Sequence, residues 1–321
     1  MHGRSAATLA ALLLFTPLAG ARAGEAGGGL WTSAGQDLQN TRHQSAGSKI
    51  TPASVGALRM KWTFTTEGDV SATPTVDGTK VYFPDWKGFL YAVDRRTGQP
   101  VWKVSIPAAS GVPGDKARAT PVLSGNKVIV GTQGPFGHGG KMLAFDKNSG
   151  ALLWSTQVDS HPAAIITQSA IVFDGRVYVG VASQEEALAA LGVSGGLYPC
   201  CSFRGSVAAL DVETGVILWK TFMIPTDYSG GAVWGSAPAV DTRRGQLYIA
   251  TGNNYTIPPD RQLCVAAAAG DPVLTQQCIS PADHFDSVLA LDLVTGAIPL
   301  GHACSAVRCL DRRLHSVHRR R

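Results

Sequence analysis

The chain has 321 residues, of which 16% are charged and 37 are glycine, a composition suited to short strands and tight turns in one large domain or two small ones. Its net charge of +5 is carried wholly by the six arginines and single aspartate that follow Pro299. The rest of the chain sums to zero, which removes the electrostatic ground for a nucleic-acid partner.

His2 and Arg4 precede an apolar run from Ala6 to Phe15, and Ala21-Arg22-Ala23 then supplies a small-x-small cleavage pattern. That is the layout of a secretory signal peptide over residues 1–23, with a run too short to span a bilayer. No later stretch is long and apolar enough to do so. The expectation is an exported chain, periplasmic or secreted, with no membrane span. The six cysteines suit an oxidising compartment. Cys200 and Cys201 are adjacent, and Cys264 and Cys278 share one Ala- and Gly-rich insertion whose pairing spacing alone does not fix.

Four segments share one grammar. Leu90-Tyr91-Ala92-Val93-Asp94 leads to Thr97-Gly98 and Trp102; Leu143-Ala144-Phe145-Asp146 leads to Ser149-Gly150 and Trp154. Val207-Ala208-Ala209-Leu210-Asp211 leads to Thr214-Gly215 and Trp219; Val288-Leu289-Ala290-Leu291-Asp292 leads to Thr295-Gly296 and then Leu300. An alternating strand ends at Asp, whose side chain bonds the turn backbone. Gly takes the positive φ of the hairpin, and Trp is placed to fill the space between sheets. Each unit holds an earlier hairpin as well, such as Pro74–Gly78 into Val81-Tyr82-Phe83. Hairpins of this kind also build sandwiches, but matched four-strand units point to the blades of a propeller. The segment before the first unit, with Trp31 and Lys61-Trp62-Thr63, reads as outer strands that would close a complete ring.

The fourth unit has Leu300 where the rhythm asks for Trp, and alternation then gives way to arginine. Back-translating Pro299 to Cys304 as CCG CTG GGC CAC GCG TGC and moving one base forward reads Arg-Trp-Ala-Thr-Arg. Trp then falls at the expected place. The same shift permits Asp-Ala-Trp in place of Arg308-Cys309-Leu310. Residues 24–298 are therefore read as a partial propeller of about four blades, and 299–321 as an aberrant basic tail that is out of frame.

The Ala-Leu-Asp-x-x-Thr-Gly-x-x-x-Trp unit is similar to the tryptophan-docking repeat of the quinoproteins that use pyrroloquinoline quinone (PQQ). Trp31-Thr32-Ser33-Ala34-Gly35-Gln36-Asp37, Asp85-Trp86-Lys87-Gly88 and Cys200-Cys201-Ser202-Phe203-Arg204-Gly205 most resemble the wording of polyvinyl-alcohol dehydrogenases. The resemblance covers about residues 29–298. It implies an all-β propeller of the eight-bladed quinoprotein type, here with about four blades. It also implies oxidation of an alcohol by PQQ with a calcium ion, and a cytochrome c as electron acceptor.

Carried over position by position, the resemblance makes Trp234 the floor under PQQ and Asn253, in Thr251-Gly252-Asn253-Asn254, a calcium ligand. Glu185 is the second ligand, with Glu186 as its alternate. Thr167 and Ser183 would touch PQQ, and Arg118 would pair with one of its oxygens. Cys200 and Cys201 match the adjacent-cysteine disulfide of alcohol-oxidising quinoproteins, although here the pair follows the Glu. The general-base Asp falls in the tail, where Asp311 has the wrong surroundings, so no catalytic residue is assigned. His138 and His161 read as ordinary loop histidines. The alternative is a non-catalytic periplasmic propeller that acts as a scaffold or binding protein.

Overall fold

Each predicted repeat forms one antiparallel four-stranded sheet in the computed structural model, which describes residues 30–44, 49–190 and 200–299 and the backbone of residues 304–305. The leader expected over residues 1–23, and the tail apart from Pro299 and that short backbone stretch, lie outside the described residues. The first blade is β1 (Thr75–Val76), β2 (Lys80–Pro84), β3 (Phe89–Asp94) and β4 (Pro100–Ser105). The second is β5 (Val122–Ser124), β6 (Lys127–Gly131), β7 (Gly140–Asp146) and β8 (Leu152–Asp159). A short β9 (Ala164–Ile165) joins the third, formed by β10 (Ile171–Phe173), β11 (Arg176–Ser183), β12 (Ser206–Asp211) and β13 (Ile217–Phe222). A ribbon of β14 (Ser229–Gly230) and β17 (Asn254–Thr256) flanks the fourth blade, made of β15 (Ala239–Asp241), β16 (Gln246–Ala250), β18 (Ser287–Asp292) and β19 (Cys304–Ser305). Among the described residues no helix is long and apolar enough to cross a membrane.

The middle strands are uninterrupted apolar runs rather than alternating ones, because both faces are buried. Val128 and Val130 of β6 face the first blade with Tyr82 and Leu90, while Ile129 between them faces Val177 and Val179 of the third. Tyr178, Val207 and Ala209 in turn meet Val240, Leu247 and Leu289 of the fourth. The core is thus a series of inter-blade layers.

The tryptophans lock these layers. Trp62, Trp102, Trp154 and Trp219 donate their indole N–H to the carbonyls of Arg95, Lys147, Val212 and Leu293 in the following blade. Each ring lies where a Cβ on Gly98, Gly150, Gly215 or Gly296 would sit, so only glycine fits there. Trp62 therefore docks on the first blade as the later tryptophans dock on theirs, although residues 58–66 form no strand. Trp31 does not dock in this way: it exchanges both backbone hydrogen bonds with Val76, on the innermost strand of the first blade. The stretch that follows keeps to inner strands, with Leu123 N–H on Thr32, Val240 N–H on Leu38, and the Asn40 amide on the carbonyls of Ala237 and Pro238.

The turn aspartates behave as expected. Asp94, Asp146, Asp211 and Asp292 each accept the N–H groups two and three residues on, and the hydroxyl three residues on. These bonds hold all four carboxyls below the ordinary aspartate range. The largest contribution comes from the Thr97 hydroxyl at Asp94, the Ser149 N–H at Asp146, the Thr214 hydroxyl at Asp211 and the Thr295 N–H at Asp292. A group whose folded-state pKa is lowered adds stability above its unfolded value, about 4, and loses it as pH falls through the folded value. Melting temperature is expected to hold above about pH 4 and to drop below it. Asn at all four positions should flatten that drop; a variant that tracks the parent chain from about pH 4 to 2 would show that the turns do not couple to folding.

Candidate functional site

In an antiparallel blade the innermost strand starts, and its neighbour ends, at the same end of the sheet. Arg118, Thr167 and Trp234 lie just before innermost strands, and Trp86, Ser183, Glu185 and Asn253 lie at or just after the ends of the neighbouring strands. All are therefore on one face of the propeller. A row of hydrogen bonds ties that face together: Thr73 N–H to the Thr120 hydroxyl, Thr120 N–H to the Ser169 hydroxyl, and Ser169 N–H to the Gly235 carbonyl.

Glu185 opens a short helix, Glu185–Ala190, and is fully buried. Its N–H donates to the Ser183 hydroxyl at 2.9 Å. Its carboxylate accepts Ser202 N–H at 2.8 Å and Phe203 N–H at 3.0 Å. Glu185 therefore anchors the segment that starts with Cys200 and Cys201, which are joined to each other by a disulfide. Glu186, the alternate ligand, faces solvent. His161 belongs to this cluster too: its Nε2 lies 3.1 Å from the Ser202 hydroxyl and 3.8 Å from a Glu185 oxygen. Its Nδ1 accepts the Ala163 N–H, so Ser202, His161 and Glu185 are not arranged as a nucleophilic triad, which needs the acid behind the other ring nitrogen.

From Phe203 the backbone network runs on to the fourth blade. Gly230 N–H bonds the Phe203 carbonyl, Gly231 N–H the Asn253 carbonyl, Gly252 N–H the Ala232 carbonyl and Val233 N–H the Val181 carbonyl. A Cβ on Gly205 would strike the Gly231 carbonyl oxygen at 1.8 Å, so this close approach requires glycine. The network gathers Ser183, Glu185, Cys200, Cys201, Trp234 and Asn253 onto adjoining segments. The Trp234 indole rests against Gly252, 3.3 Å from where a Cβ would be, and remains 37% exposed. Asn253 is exposed, with its amide N–H on the Asn254 carbonyl. Tyr255 lies beside Ser183, and burial, with the charges of Glu186 and Glu185, pushes its phenol well above the usual range.

Thr167 follows β9, whose Ile165 pairs with Ala182, and its buried hydroxyl has no hydrogen-bond partner. Arg118 is placed differently. It is exposed and lies with Lys116 over the Trp86 ring, at 5.8 and 4.9 Å from the ring centre, while the Trp86 N–H bonds Ser71. Asp85 of the same motif is a buried turn hub that accepts from Gly68, Lys87, Phe89 and Tyr91. Sequence reasoning missed His161, whose role depends on a loop brought in from another part of the chain.

Of the groups a flat quinone and a hard cation would need, Thr167 offers an unused buried hydroxyl, Trp234 an open indole and Asn253 an exposed amide oxygen, whereas both oxygens of the buried Glu185 already accept backbone N–H groups. No group of three or more His, Cys, Asp or Glu side chains gathers for a metal among the described residues, so any cation here would rest on mixed carboxylate and amide oxygens.

Antiparallel four-stranded sheets clasped by tryptophan on glycine define a β-propeller of the quinoprotein type. A PQQ-repeat family model, described as outer membrane protein assembly factor BamB, matches residues 25–299, and the chain belongs to that family. It is 30% identical over 286 residues to the polyvinylalcohol dehydrogenase of Sphingopyxis sp. (strain 113P3), an alignment that covers 84% of this chain and 38% of that protein. It is 27% identical over 258 residues to the quinohemoprotein alcohol dehydrogenase of Comamonas testosteroni, covering 70% of this chain and 33% of the relative. The crystal structure of the Comamonas testosteroni enzyme superposes with a TM-score of 0.62 at 21% identity, over 86% of this chain and 41% of that one. A europium-containing methanol dehydrogenase gives a TM-score of 0.61 at 19% identity, over 84% of this chain and 48% of that one. The chain thus spans less than half the length of these relatives.

Proposed function

We propose that this chain is part of a PQQ-dependent alcohol dehydrogenase, exported to the periplasm or beyond, that acts on polyvinyl alcohol or another secondary alcohol and passes electrons to a cytochrome c. The observation that carries the reading is Trp234: an exposed indole seated on Gly252, with Asn253 next in the chain and Glu185 on the adjoining segment. PQQ, when bound, supplies the hydride-accepting carbonyl, and calcium polarises it. The chain's own residues supply the setting. Trp234 would carry the ring, Thr167 and Ser183 would take its polar edge, and Glu185 and Asn253 would hold the cation. Arg118 would reach the quinone only by leaving the Trp86 ring.

The general base belongs to the segment after the fourth blade. The frame-slip reading is supported by Leu300, which stands where the repeat places a docking Trp. On that reading this chain is an inactive fragment, and the nucleotide sequence downstream of codon 296 should open a frame encoding Trp, Asp-Ala-Trp and further blades.

PQQ titration of the frame-corrected protein, followed by tryptophan fluorescence with calcium or with a chelator, tests the site. Calcium-dependent binding is expected, with Trp234→Ala weakening it by about tenfold or more, since a stacked aromatic contributes on the order of 1 kcal/mol beyond its buried area. Binding that ignores Trp234, or no binding at all, favours the second reading. That reading, a non-catalytic propeller scaffold or binding protein, draws its support from the description of the matched family model.

A further inference from the structure

On the face opposite the candidate site, the β1–β2, β5–β6 and β7–β8 turns meet in a cleft of about 510 Å³ between the first and second blades. Its charged lining is two lysines, Lys80 and Lys147, and one carboxylate, Asp77. The carboxylate is already committed. Its Oδ1 accepts the Thr79 N–H at 2.7 Å, the Thr79 hydroxyl at 3.1 Å and the Lys80 N–H at 2.7 Å. Its Oδ2 accepts the Tyr82 hydroxyl at 3.0 Å and lies 3.5 Å from Lys147 Nζ. Asp146, at the base of the β7–β8 turn, is spent on the N–H groups of Asn148 and Ser149, the Ser149 hydroxyl and the Asn126 amide. Lys80 Nζ bonds a neutral group, the Asn148 side-chain oxygen at 3.2 Å, which leaves the Asn148 NH₂ to donate.

The neighbouring cleft, between the second and third blades, is balanced where this one is not. Lys127 opens β6 as Lys80 opens β2, and the turn of the third blade has Val212-Glu213 where that of the second has Lys147-Asn148. There Lys127 Nζ pairs with the Glu213 carboxylate at 2.6 Å, and an apolar side chain stands in the place of Lys147. The first cleft therefore holds two lysines against its neighbour's one, and an amide in place of the balancing acid. A surplus of positive charge with a free amide donor beside it suits an anion. The geometry points to a binding site for a phosphoryl group, held by Lys80, Lys147 and the Asn148 amide. Lysine ammoniums act as point charges that suit a tetrahedral oxyanion, whereas a planar carboxylate is matched by the arginine fork. The cleft lies away from Trp234 and Glu185, so the inference stands apart from the reading of the catalytic site.

The probe is inorganic phosphate, titrated against the full chain at constant ionic strength and followed by phosphorus NMR line broadening, with acetate as competitor. Saturable binding is expected, with acetate displacing phosphate only weakly. Lys80→Ala should weaken it about tenfold, the value of one hydrogen bond from a charged donor. Asn148→Glu should weaken it at least as much while melting at the parent temperature or higher, because it installs the pair that Lys127 and Glu213 form in the next cleft. Lys103→Ala, which removes the same charge outside the cleft, should leave binding unchanged. Phosphate binding that survives both Lys80→Ala and Asn148→Glu belongs to the arginines that follow Pro299 and overturns the proposal. So do equal losses in Lys80→Ala and Lys103→Ala, displacement by acetate at matching concentration, and the absence of saturable binding.

Discussion

Trp154→Ala is expected to destabilise the chain by about 3–5 kcal/mol, the range for removing a large aromatic from a closed core. Trp154 is buried between the second and third blades, packed against Gly215, with its indole N–H 3.1 Å from the buried Val212 carbonyl. The substitution opens a cavity and orphans that carbonyl. Gly215→Ala should fail for the reciprocal reason: its φ is +73°, and the new Cβ would lie 2.7 Å from the indole. Trp62→Ala should cost less, because Trp62 retains more solvent contact on the flank of the first blade. Urea midpoints for the three variants check this. Equal losses at Trp62 and Trp154 would mean that the hydrogen bond, common to both, outweighs the burial that separates them.

Glu185→Ala should cost about 2–5 kcal/mol, because it leaves the N–H groups of Ser202 and Phe203 without their acceptor inside a buried segment. Glu185→Gln keeps one carbonyl acceptor but turns an amide NH₂ toward the other N–H, and should recover about half of the loss. Chain cleavage near the Cys200–Cys201 segment by a low dose of protease reports the same event locally. If Glu185→Ala leaves both melting and proteolysis unchanged, the carboxylate does not anchor the segment. A role as a calcium ligand then stands alone, to be read from loss of calcium-induced stabilisation in the frame-corrected protein.

The parts of the molecule that follow from a few neighbouring residues could be read from the sequence. The Asp-to-Gly hairpins are local, and the docking tryptophans follow at fixed spacing. The partner of each tryptophan is less visible: it is the glycine of the next unit, between 36 residues on (Trp62 to Gly98) and 77 residues on (Trp219 to Gly296). Trp31 was misplaced because its partner, Val76, lies in another unit and the motif around it carries no strand periodicity. The two helices of the insertion before β18, Pro259–Ala267 and Pro272–Cys278, could have been found, since Pro259 occupies a first helical turn and Asp271 caps the N–H groups of Val273 and Leu274. The Cys264–Cys278 disulfide that joins them stayed open because chain spacing permits several partners. His161, the Thr120 and Ser169 hydroxyl links and the cleft at Lys80 arise only when distant loops meet.

The inner segment that begins at Trp31 also constrains the order of assembly. The Gln39 amide bonds the Val240 carbonyl, and Asn40 bonds Ala237 and Pro238, across separations of 197 to 201 residues. Such distant contacts carry a large loop-closure cost until the intervening chain is compact. Residues 38–40 leave the ribosome long before their partners exist, while each blade can close on its own hairpins soon after it is made. Residues 38–40, made just after Trp31 whose partner Val76 follows soon, are therefore among the last parts of the fold to be seated.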